Sequence, residues 1–302
     1  MEPYESKLLS LIEKNNKIII LTAENRVSLR NIPEKLNHNF IDVGISEQNL
    51  IGIGAGLAKL GFLPIMHGMS AFLTMRAFEF IRTDLGYPSL PSVIVGTFNG
   101  LSSTANGTAN GPTHQAIEDI ALMRLVPNMT VVAPSDILET LEVLDKISKL
   151  SGPIYIRDSN SGSINMQREP FTWEKNECIV KGDNVAILAY GTILDICLKV
   201  SKKLSEKSFS HSIYNIRFLK PIDKACLHEI FDRHKKIFVI EDHISIGALG
   251  SIIKEFAWEN NKDNKIIFIN LRESFFRPGN FNDALQNTEL APGKIYGKII
   301  NS

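Results

Sequence analysis

Short, uninterrupted apolar runs alternate along the chain with stretches whose apolar residues recur at helical spacing. The runs KIIILTAE (17–24), PSVIVGT (91–97) and KKIFVIEDH (235–243) are typical of strands that are covered on both faces of a sheet. The stretches 71–86 and 193–207 have the three- and four-residue spacing of amphipathic helices. The pattern predicts an α/β fold with parallel sheets and helices on both faces.

This alternation breaks once and then resumes. Residues 161–183 show neither period and are predicted to be a linker. We therefore predict two doubly wound α/β domains, residues 1–160 and a smaller 184–302. Further strands are predicted within 39–44, 62–66, 129–136, 152–158, 183–192, 211–218 and 265–272, and further helices within 4–15, 46–61, 114–127, 137–150, 222–234 and 247–260.

Composition narrows the class of function. The 33 basic and 33 acidic residues balance, which argues against nucleic acid or an anionic membrane as the main partner. The first residues are polar and no run reaches the roughly 18 apolar residues of a membrane span, so we expect a cytoplasmic protein. Cys178, Cys197 and Cys226 lack metal-binding spacing and are predicted to be small core residues in a reducing compartment.

The first candidate for chemistry is Glu47, in the stretch FIDVGISEQNLIGIGAGLAKLG (40–61). An acid in a first helical turn has a plain explanation, because the helix dipole stabilises it. The strand before it and the helix after it are apolar, however, so the carboxylate is expected to be buried. A buried acid needs a partner or a raised pKa, and these are also the properties of a proton donor.

The glycines of the same helix, Gly52, Gly54 and Gly56, do not form a dinucleotide-binding loop. Their spacing is wrong, and they lie inside a helix rather than directly after a strand. Each glycine costs about 1 kcal/mol of helix stability relative to alanine. We expect them to allow the close approach of another backbone, within the fold or across a subunit contact.

The second candidate is His114 in NGPTHQAIED, which follows a long loop rich in Gly, Ser, Thr and Asn. A histidine at a helix start can simply cap the helix or face solvent. It is also well placed to reach a ligand, and a helix N-terminus would keep it neutral by lowering its pKa. Met69, just before the predicted helix 71–86, begins a three-residue series with Phe72 and Met75. The series predicts core packing, although an aromatic ring there could stack on a flat heterocycle.

Taken together, several motifs in the right order resemble the transketolase superfamily of thiamine diphosphate enzymes. They are LTAE, DVGISEQNLIGIGAGLA, NGPTHQAIEDIALMRLVPNMTVVAPSD, VAILAYGT, RFLKPID, FVIEDH and GALGS. The similarity covers nearly the whole chain. It is to the second half of a transketolase, a thiamine pyrimidine-binding domain followed by a transketolase C-terminal domain.

The resemblance implies roles for individual residues. Glu47 matches the glutamate that contacts the 1′ nitrogen of the cofactor's aminopyrimidine and favours its imino tautomer, which deprotonates the thiazolium carbon. Phe72 matches the aromatic residue that stacks on the pyrimidine. Met69 and Met75 match flanking wall residues of the cofactor site. His114 matches a substrate-facing histidine.

Departures from the family pattern concern the sugar. Asn110 stands where ordinary transketolases have an acid that binds a donor hydroxyl, and Ala133 replaces an arginine that holds the sugar phosphate. The preceding loop lacks the usual histidine and offers Ser102 and Ser103. Arg157 is a candidate replacement cation, as in deoxyxylulose phosphate synthase. We therefore expect substrate contacts from His114, Asn110, Ser102 and Arg157, and a sugar other than a standard pentose phosphate.

The resemblance also indicates what this chain lacks. The family binds the diphosphate and its metal through a GDG motif and a later asparagine, and KGDNV (181–185) lacks the second glycine and opens the second predicted domain. We expect no metal site here, and a partner subunit of the N-terminal transketolase type that holds Mg²⁺ or Ca²⁺ in an α₂β₂ assembly.

Two other functions remain open. The β subunit of a 2-oxo acid dehydrogenase decarboxylase shares the domain pair, although GPTHQAIED favours transketolase. A non-catalytic assembly partner is disfavoured because Glu47, Phe72 and His114 are all present.

Overall fold

The helices and strands come from a computed structural model, which describes residues 3–24, 28–101, 108–109, 111–158, 162–166 and 168–302. The strands are β1 Ile18–Thr22, β2 Phe40–Asp42, β3 Leu63–Met69, β4 Ser92–Thr97, β5 Thr108–Ala109, β6 Thr130–Val132, β7 Pro153–Arg157, β8 Glu177–Val180, β9 Val185–Ala189, β10 His211–Asn215, β11 Phe218–Lys220, β12 Lys236–Ile240, β13 Lys265–Ile269 and β14 Gly279–Asn280.

The α-helices surround these strands, and the segment between β3 and β4 contains π-helical turns. The α-helices are α1 Pro3–Lys14, α2 Pro33–Leu36, α3 Glu47–Lys59, α4 Phe78–Phe80, α5 Asp119–Leu125, α6 Ile137–Leu144, α7 Ile193–Glu206, α8 Lys224–Arg233, α9 Leu249–Glu259, α10 Phe281–Gln286 and α11 Pro292–Ile300. The short α4 is flanked by π-helical turns at Phe72–Arg76 and Ile81–Gly86. Such wide turns are rare and often lie at functional sites.

Among the described residues, seven strands form the first sheet, in the order β11-β6-β7-β4-β3-β1-β2. Its central strands pair in parallel, with Ile20 opposite Ile65 and Ile65 opposite Val93. Every residue of β1, β4 and β7 is buried, because helices cover both faces.

The second sheet has the order β13-β12-β9-β10-β8 in the part of the chain that the structure describes. Its strands are parallel except for β8, which pairs antiparallel with β10 at one edge. The predicted α/β fold with two parallel-sheet domains is confirmed. The two domains share a continuous apolar core in which Ile94 and Tyr155 belong to the same buried cluster as Leu188 and Leu249.

The predicted boundaries between the domains need correction. Strand β8 lies inside the predicted linker 161–183 and belongs to the second sheet. Strand β11 lies within the predicted second domain but extends the first sheet, where Phe218 pairs antiparallel with Val132. The predicted second domain therefore contributes β11 to the first sheet, and the second sheet begins within the predicted linker.

Two further differences concern the ends of elements. The helix predicted from residue 114 begins only at Asp119. After residue 272, where no element was predicted, the chain forms β14, α10 and α11, and β14 pairs with β5 through Gly279 and Ala109. No helix among the described residues combines the length and apolarity that crossing a membrane requires.

Candidate active site

The candidate residues gather at the carboxyl ends of the parallel strands of the first sheet. Strand β2 ends at Asp42, β3 at Met69 and β7 at Arg157. Ligand sites of parallel α/β sheets lie at this edge, because the loops that follow the strands meet there. The position of the candidates is therefore that of a binding site.

A tight turn delivers Glu47 to this edge. Asp42 Oδ1 accepts a hydrogen bond from the Gly44 backbone N–H at 3.0 Å, and Gly44 has a φ of +71° that favours glycine. Helix α3 then begins at Glu47 after Ser46. The Ser46 hydroxyl donates to the Val43 carbonyl at 3.1 Å and does not cap the helix.

The carboxylate of Glu47 is buried and has a charged partner. Glu47 is 2% exposed, and its Oε2 accepts a hydrogen bond from Arg76 Nη1 at 2.9 Å. The Arg76 side chain is 44% exposed, so the pair joins a buried anion to a cation that reaches solvent. The geometry therefore gives this buried acid a charged partner.

Phe72 connects this ion pair to His114. The guanidinium carbon of Arg76 lies 4.5 Å from the centroid of the Phe72 ring, which is a cation–π contact. The Phe72 and His114 ring centroids are 5.7 Å apart at an interplanar angle of 64°. Glu47, Arg76, Phe72 and His114 therefore form one connected group, which we call the Glu47 group.

Arg76 was not predicted from the sequence. It lies four residues after Phe72, a spacing that brings side chains to the same side of a helical segment. That spacing is a usable signal for a side chain beside Phe72, although Arg76 is not a member of the apolar series 69–75. The two methionines of that series lie on either side of Phe72 in the chain, Met69 half-buried at the end of β3 and Met75 42% exposed in the π-helical turn.

The structure places His114 in an exposed turn and not at a helix start. Helix α5 begins five residues later, so His114 does not lie at the helix N-terminus that the sequence predicted. The Thr113 hydroxyl and His114 Nδ1 are 2.9 Å apart, which leaves Nε2 as the other polar atom of the ring.

Two predicted substrate residues, Ser102 and Asn110, lie outside the described residues, as does Ser103. The residues on either side of them are anchored. The Leu101 backbone N–H donates to Asp242 Oδ2 at 3.1 Å, and the Gly111 N–H donates to Gln115 Oε1 at 3.1 Å. The second domain thus holds one end of the loop that precedes His114.

The structure corrects the predicted role of Arg157 as a substrate cation. The residue is 2% exposed, and its guanidinium lies between two carboxylates. Nε donates to Asp119 Oδ2 at 3.0 Å, and Nη1 donates to Asp242 Oδ1 at 2.8 Å. Burial lowers the pKa of Arg157, but the charges of Asp119 and Asp242 outweigh it and raise that pKa well above its ordinary value.

Arg157 therefore links the two domains, since Asp119 belongs to α5 and Asp242 follows β12. The hydroxyl of Tyr155 extends these contacts towards Met69, because it donates to Asp119 Oδ2 at 2.8 Å and lies 2.9 Å from the Ser70 hydroxyl. We call Arg157, Asp119, Asp242 and Tyr155 the Arg157 group.

The glycines of α3 divide into two kinds. A Cβ on Gly54 would lie 2.2 Å from Met66 Sδ, so this glycine allows α3 to pack closely on β3 within the fold. A Cβ on Gly52 or Gly56 would meet nothing within 4 Å. The close approach at Gly54 is to the Met66 side chain, and not to another backbone as the sequence predicted.

The cysteines carry no sign of reactivity or metal binding. Cys178, Cys197 and Cys226 form no disulfide, and burial raises the pKa of each thiol. In the portion of the chain that the structure describes, no group of three or more His, Cys, Asp or Glu side chains is arranged to hold a metal ion.

Comparison with known proteins finds two family models along the chain. The transketolase pyrimidine-binding domain matches residues 3–161, and the transketolase C-terminal domain matches residues 174–295. A protein of Methanocaldococcus jannaschii that is named as the C-terminal section of a transketolase is 32% identical over 98% of this chain and 94% of its own length. The 1-deoxy-D-xylulose-5-phosphate synthase of Dictyoglomus thermophilum is 33% identical over 99% of this chain, which spans only 48% of that enzyme.

Solved structures agree with these matches. A split-gene transketolase, solved as an inactive β4 tetramer, is 29% identical and superimposes with a TM-score of 0.87 over 99% of this chain and 96% of its own. A transketolase from Campylobacter jejuni superimposes with a TM-score of 0.76 at 18% identity, over 99% of this chain and 46% of its own, which shows a shared fold.

Proposed function

The chain belongs to the transketolase family, and on that premise we propose that it is the C-terminal, β-type subunit of a split, thiamine diphosphate-dependent transketolase-like enzyme. Its reaction is the transfer of a two-carbon ketol unit from a ketose donor to an aldehyde acceptor. The observation that carries the proposal is the buried Glu47 carboxylate beside the Phe72 ring, with His114 against the same ring.

The residues of the Glu47 group fit the pyrimidine half of the cofactor. A buried carboxylate suits a ring nitrogen that shares a proton, and the half-buried Phe72 ring offers an aromatic face for stacking. Met69 and Met75 provide adaptable apolar walls on either side of Phe72 in the chain. When bound, thiamine diphosphate supplies a carbon nucleophile that adds to carbonyl groups.

This chain's own residues then have distinct tasks. Glu47 holds and releases a proton at its carboxylate oxygens, and its burial strengthens that interaction by excluding water. Phe72 orients the pyrimidine, and the exposed His114 contacts substrate hydroxyls. Ser102 and Asn110 remain proposed substrate contacts.

A partner of the N-terminal transketolase type is part of the proposal. The archaeal relative and the split-gene structure support it, because this chain covers 94% and 96% of their lengths and both are described as parts of a divided transketolase. The partner would hold the diphosphate and its Mg²⁺ or Ca²⁺, in an α₂β₂ assembly located in the cytosol.

The substrate is proposed to be a sugar other than an ordinary pentose phosphate. Ala133, in place of the family's phosphate-binding arginine, is buried and offers no cation, and Arg157 cannot replace it because both carboxylates of its group occupy its guanidinium. A second candidate reaction is synthesis of a 1-deoxy-xylulose phosphate, which the 33% identity to the synthases favours.

The test combines this chain with the N-terminal-type subunit from the same genome, thiamine diphosphate and Mg²⁺. We expect ketol transfer by the mixture and none by either subunit alone. Turnover by this chain alone would contradict the split-enzyme proposal. Efficient use of xylulose 5-phosphate would contradict the unusual substrate, and consumption of pyruvate with an aldehyde acceptor would support the synthase alternative.

A matched pair of variants tests the role of Glu47. Glu47→Gln should lower kcat at least about 100-fold, the lower range for a positioned acid–base group, with assembly intact. Glu79→Gln, at an exposed acid of the neighbouring helical segment, should leave kcat unchanged. Retained activity in Glu47→Gln would favour the non-catalytic partner, and acylation of a lipoyl domain would favour the decarboxylase.

A further inference from the structure

The side chain of Arg76 makes two contacts with groups that the proposed function assigns to the cofactor. Its Nη1 donates to Glu47 Oε2 at 2.9 Å, and its guanidinium carbon lies 4.5 Å from the Phe72 ring centroid. A guanidinium is planar, cationic and rich in N–H donors, so it can stack on an aromatic ring while donating to a carboxylate.

An aminopyrimidine can make the same two kinds of contact. It is a flat ring that stacks on an aromatic face, and its ring nitrogen donates to a carboxylate when protonated. The guanidinium contacts both Glu47 Oε2 and the Phe72 ring, which are the two groups that the proposed function gives to the pyrimidine. Arg76 and the pyrimidine therefore compete for the same two neighbours.

We propose that Arg76 is a displaceable placeholder for the aminopyrimidine, an inference that rests on the proposed function. The guanidinium balances the charge of the buried Glu47 carboxylate and covers the Phe72 ring until the pyrimidine takes both contacts. Arg76 then turns outward to solvent. The residue thereby sets how tightly the pyrimidine is held.

The position of Arg76 suits this exchange. Its side chain is 44% exposed, while that of Glu47 is 3% exposed, so the cation can turn into solvent while water or the pyrimidine takes its place beside the carboxylate. Ion pairs and cation–π contacts with one solvent-exposed member are weak and break readily. The π-helical turn that carries both Phe72 and Arg76 holds the ring and the guanidinium on one short stretch of chain.

The experiment measures binding of the pyrimidine fragment to the full chain. The probe is 4-amino-5-hydroxymethyl-2-methylpyrimidine, titrated by NMR or calorimetry into the wild type, Arg76→Ala and Arg82→Ala. Arg82 is an exposed arginine of the same helical segment and controls for the loss of one positive charge. We expect Arg76→Ala to lower the Kd of the fragment about five- to thirtyfold, since two weak contacts need no longer be broken. Arg82→Ala should match the wild type.

The possible outcomes distinguish failure of this inference from failure of the proposed function. Weaker fragment binding by Arg76→Ala would show that the arginine is a ligand of the ring and would overturn the placeholder role while leaving the site intact. An unchanged Kd would also overturn it. Absence of binding to every variant, or binding that Glu47→Gln does not weaken, would contradict the pyrimidine site itself.

Salt offers an independent readout. Added salt screens the solvent-accessible Arg76–Glu47 pair, so the wild type should bind the uncharged fragment more tightly as ionic strength rises. Arg76→Ala should show no such gain. An equal salt response in both proteins would contradict the inference.

Discussion

The Glu47 group and the Arg157 group each pair an arginine with acid, at the same edge of one sheet, but they differ in access to water. The side chain of Arg76 is 44% exposed, whereas that of Arg157 is 1% exposed. If Arg76 moves away from Glu47, water can take up the hydrogen bonds that the pair loses. Arg157 is buried, so water cannot do the same for Arg157 and its carboxylates. Arg76 is therefore a cation that a ligand can displace, whereas Arg157 is a cation that stabilises the fold.

The partners reinforce this difference. Arg157 holds carboxylates from both domains, and Asp242 in turn accepts a hydrogen bond from the backbone of Leu101 at the start of the loop that precedes His114. Arg76 holds one buried carboxylate and one ring. Loss of Arg157 therefore leaves two buried charges without their cation, while loss of Arg76 leaves one anion at an opening to solvent.

The largest expected effect is that of Arg157→Ala. Removing one member of a buried ion pair costs about 3–5 kcal/mol, because the remaining charges stay buried without compensation. We expect urea denaturation of the purified chain to show a loss of this size in the free energy of unfolding. Arg82→Ala is the control, and a loss below about 1 kcal/mol for Arg157→Ala would contradict the comparison.

Glu241, next to Asp242, should make stability depend on pH. Burial raises the pKa of its carboxyl from 4.5 to about 7, against the opposing hydrogen bond from the Gly250 N–H. The folded state thus binds the proton more tightly than the unfolded state, so this contribution is complete below about pH 4.5 and is lost as pH rises through 7.

The corresponding measurement is the difference in unfolding free energy between the wild type and Glu241→Gln. At about 1.36 kcal/mol per pH unit, the wild type should lose about 3 kcal/mol relative to the variant as pH rises from 4.5 to above 7. Parallel pH profiles for the two proteins would show that Glu241 remains ionised.

Tyr155→Phe should have an intermediate effect. The variant keeps the ring and removes the hydroxyl that lies between the Ser70 hydroxyl and Asp119. Loss of a buried hydrogen-bonding group costs about 1–3 kcal/mol when its partners stay unsatisfied. Thermal and urea unfolding should both show this loss. A neutral result would indicate that water replaces the hydroxyl between Ser70 and Asp119.

The smallest expected effect on stability is that of Arg76→Ala, within about 0.5 kcal/mol of the wild type, as for other ion pairs with a solvent-exposed member. The same urea experiment measures it. A loss of about 3 kcal/mol or more would place Arg76 with Arg157 as a framework residue and would remove the contrast between the two groups.

The sequence was sufficient for the main strands because continuous apolar runs such as 17–24 admit few alternatives. It was insufficient for β8, which has four residues, and for β11, which has three. The position of each of these short strands depends on its pairing with a strand that is distant in the sequence. Glu47 and Phe72 could be singled out from local pattern and resemblance. The burial of Arg157 depends on Asp119 and Asp242, which are 38 and 85 residues away along the chain, and no local pattern records such contacts.

Strand β11 also has a consequence for synthesis of the protein. The edge of β6 at Val132 is completed only by Phe218, about 90 residues later in the chain. At roughly 5–20 residues per second, a ribosome needs about 5–20 s to make that stretch. During this interval the nascent first sheet presents an unpaired edge, at which we expect chaperones to bind and a foreign strand to pair.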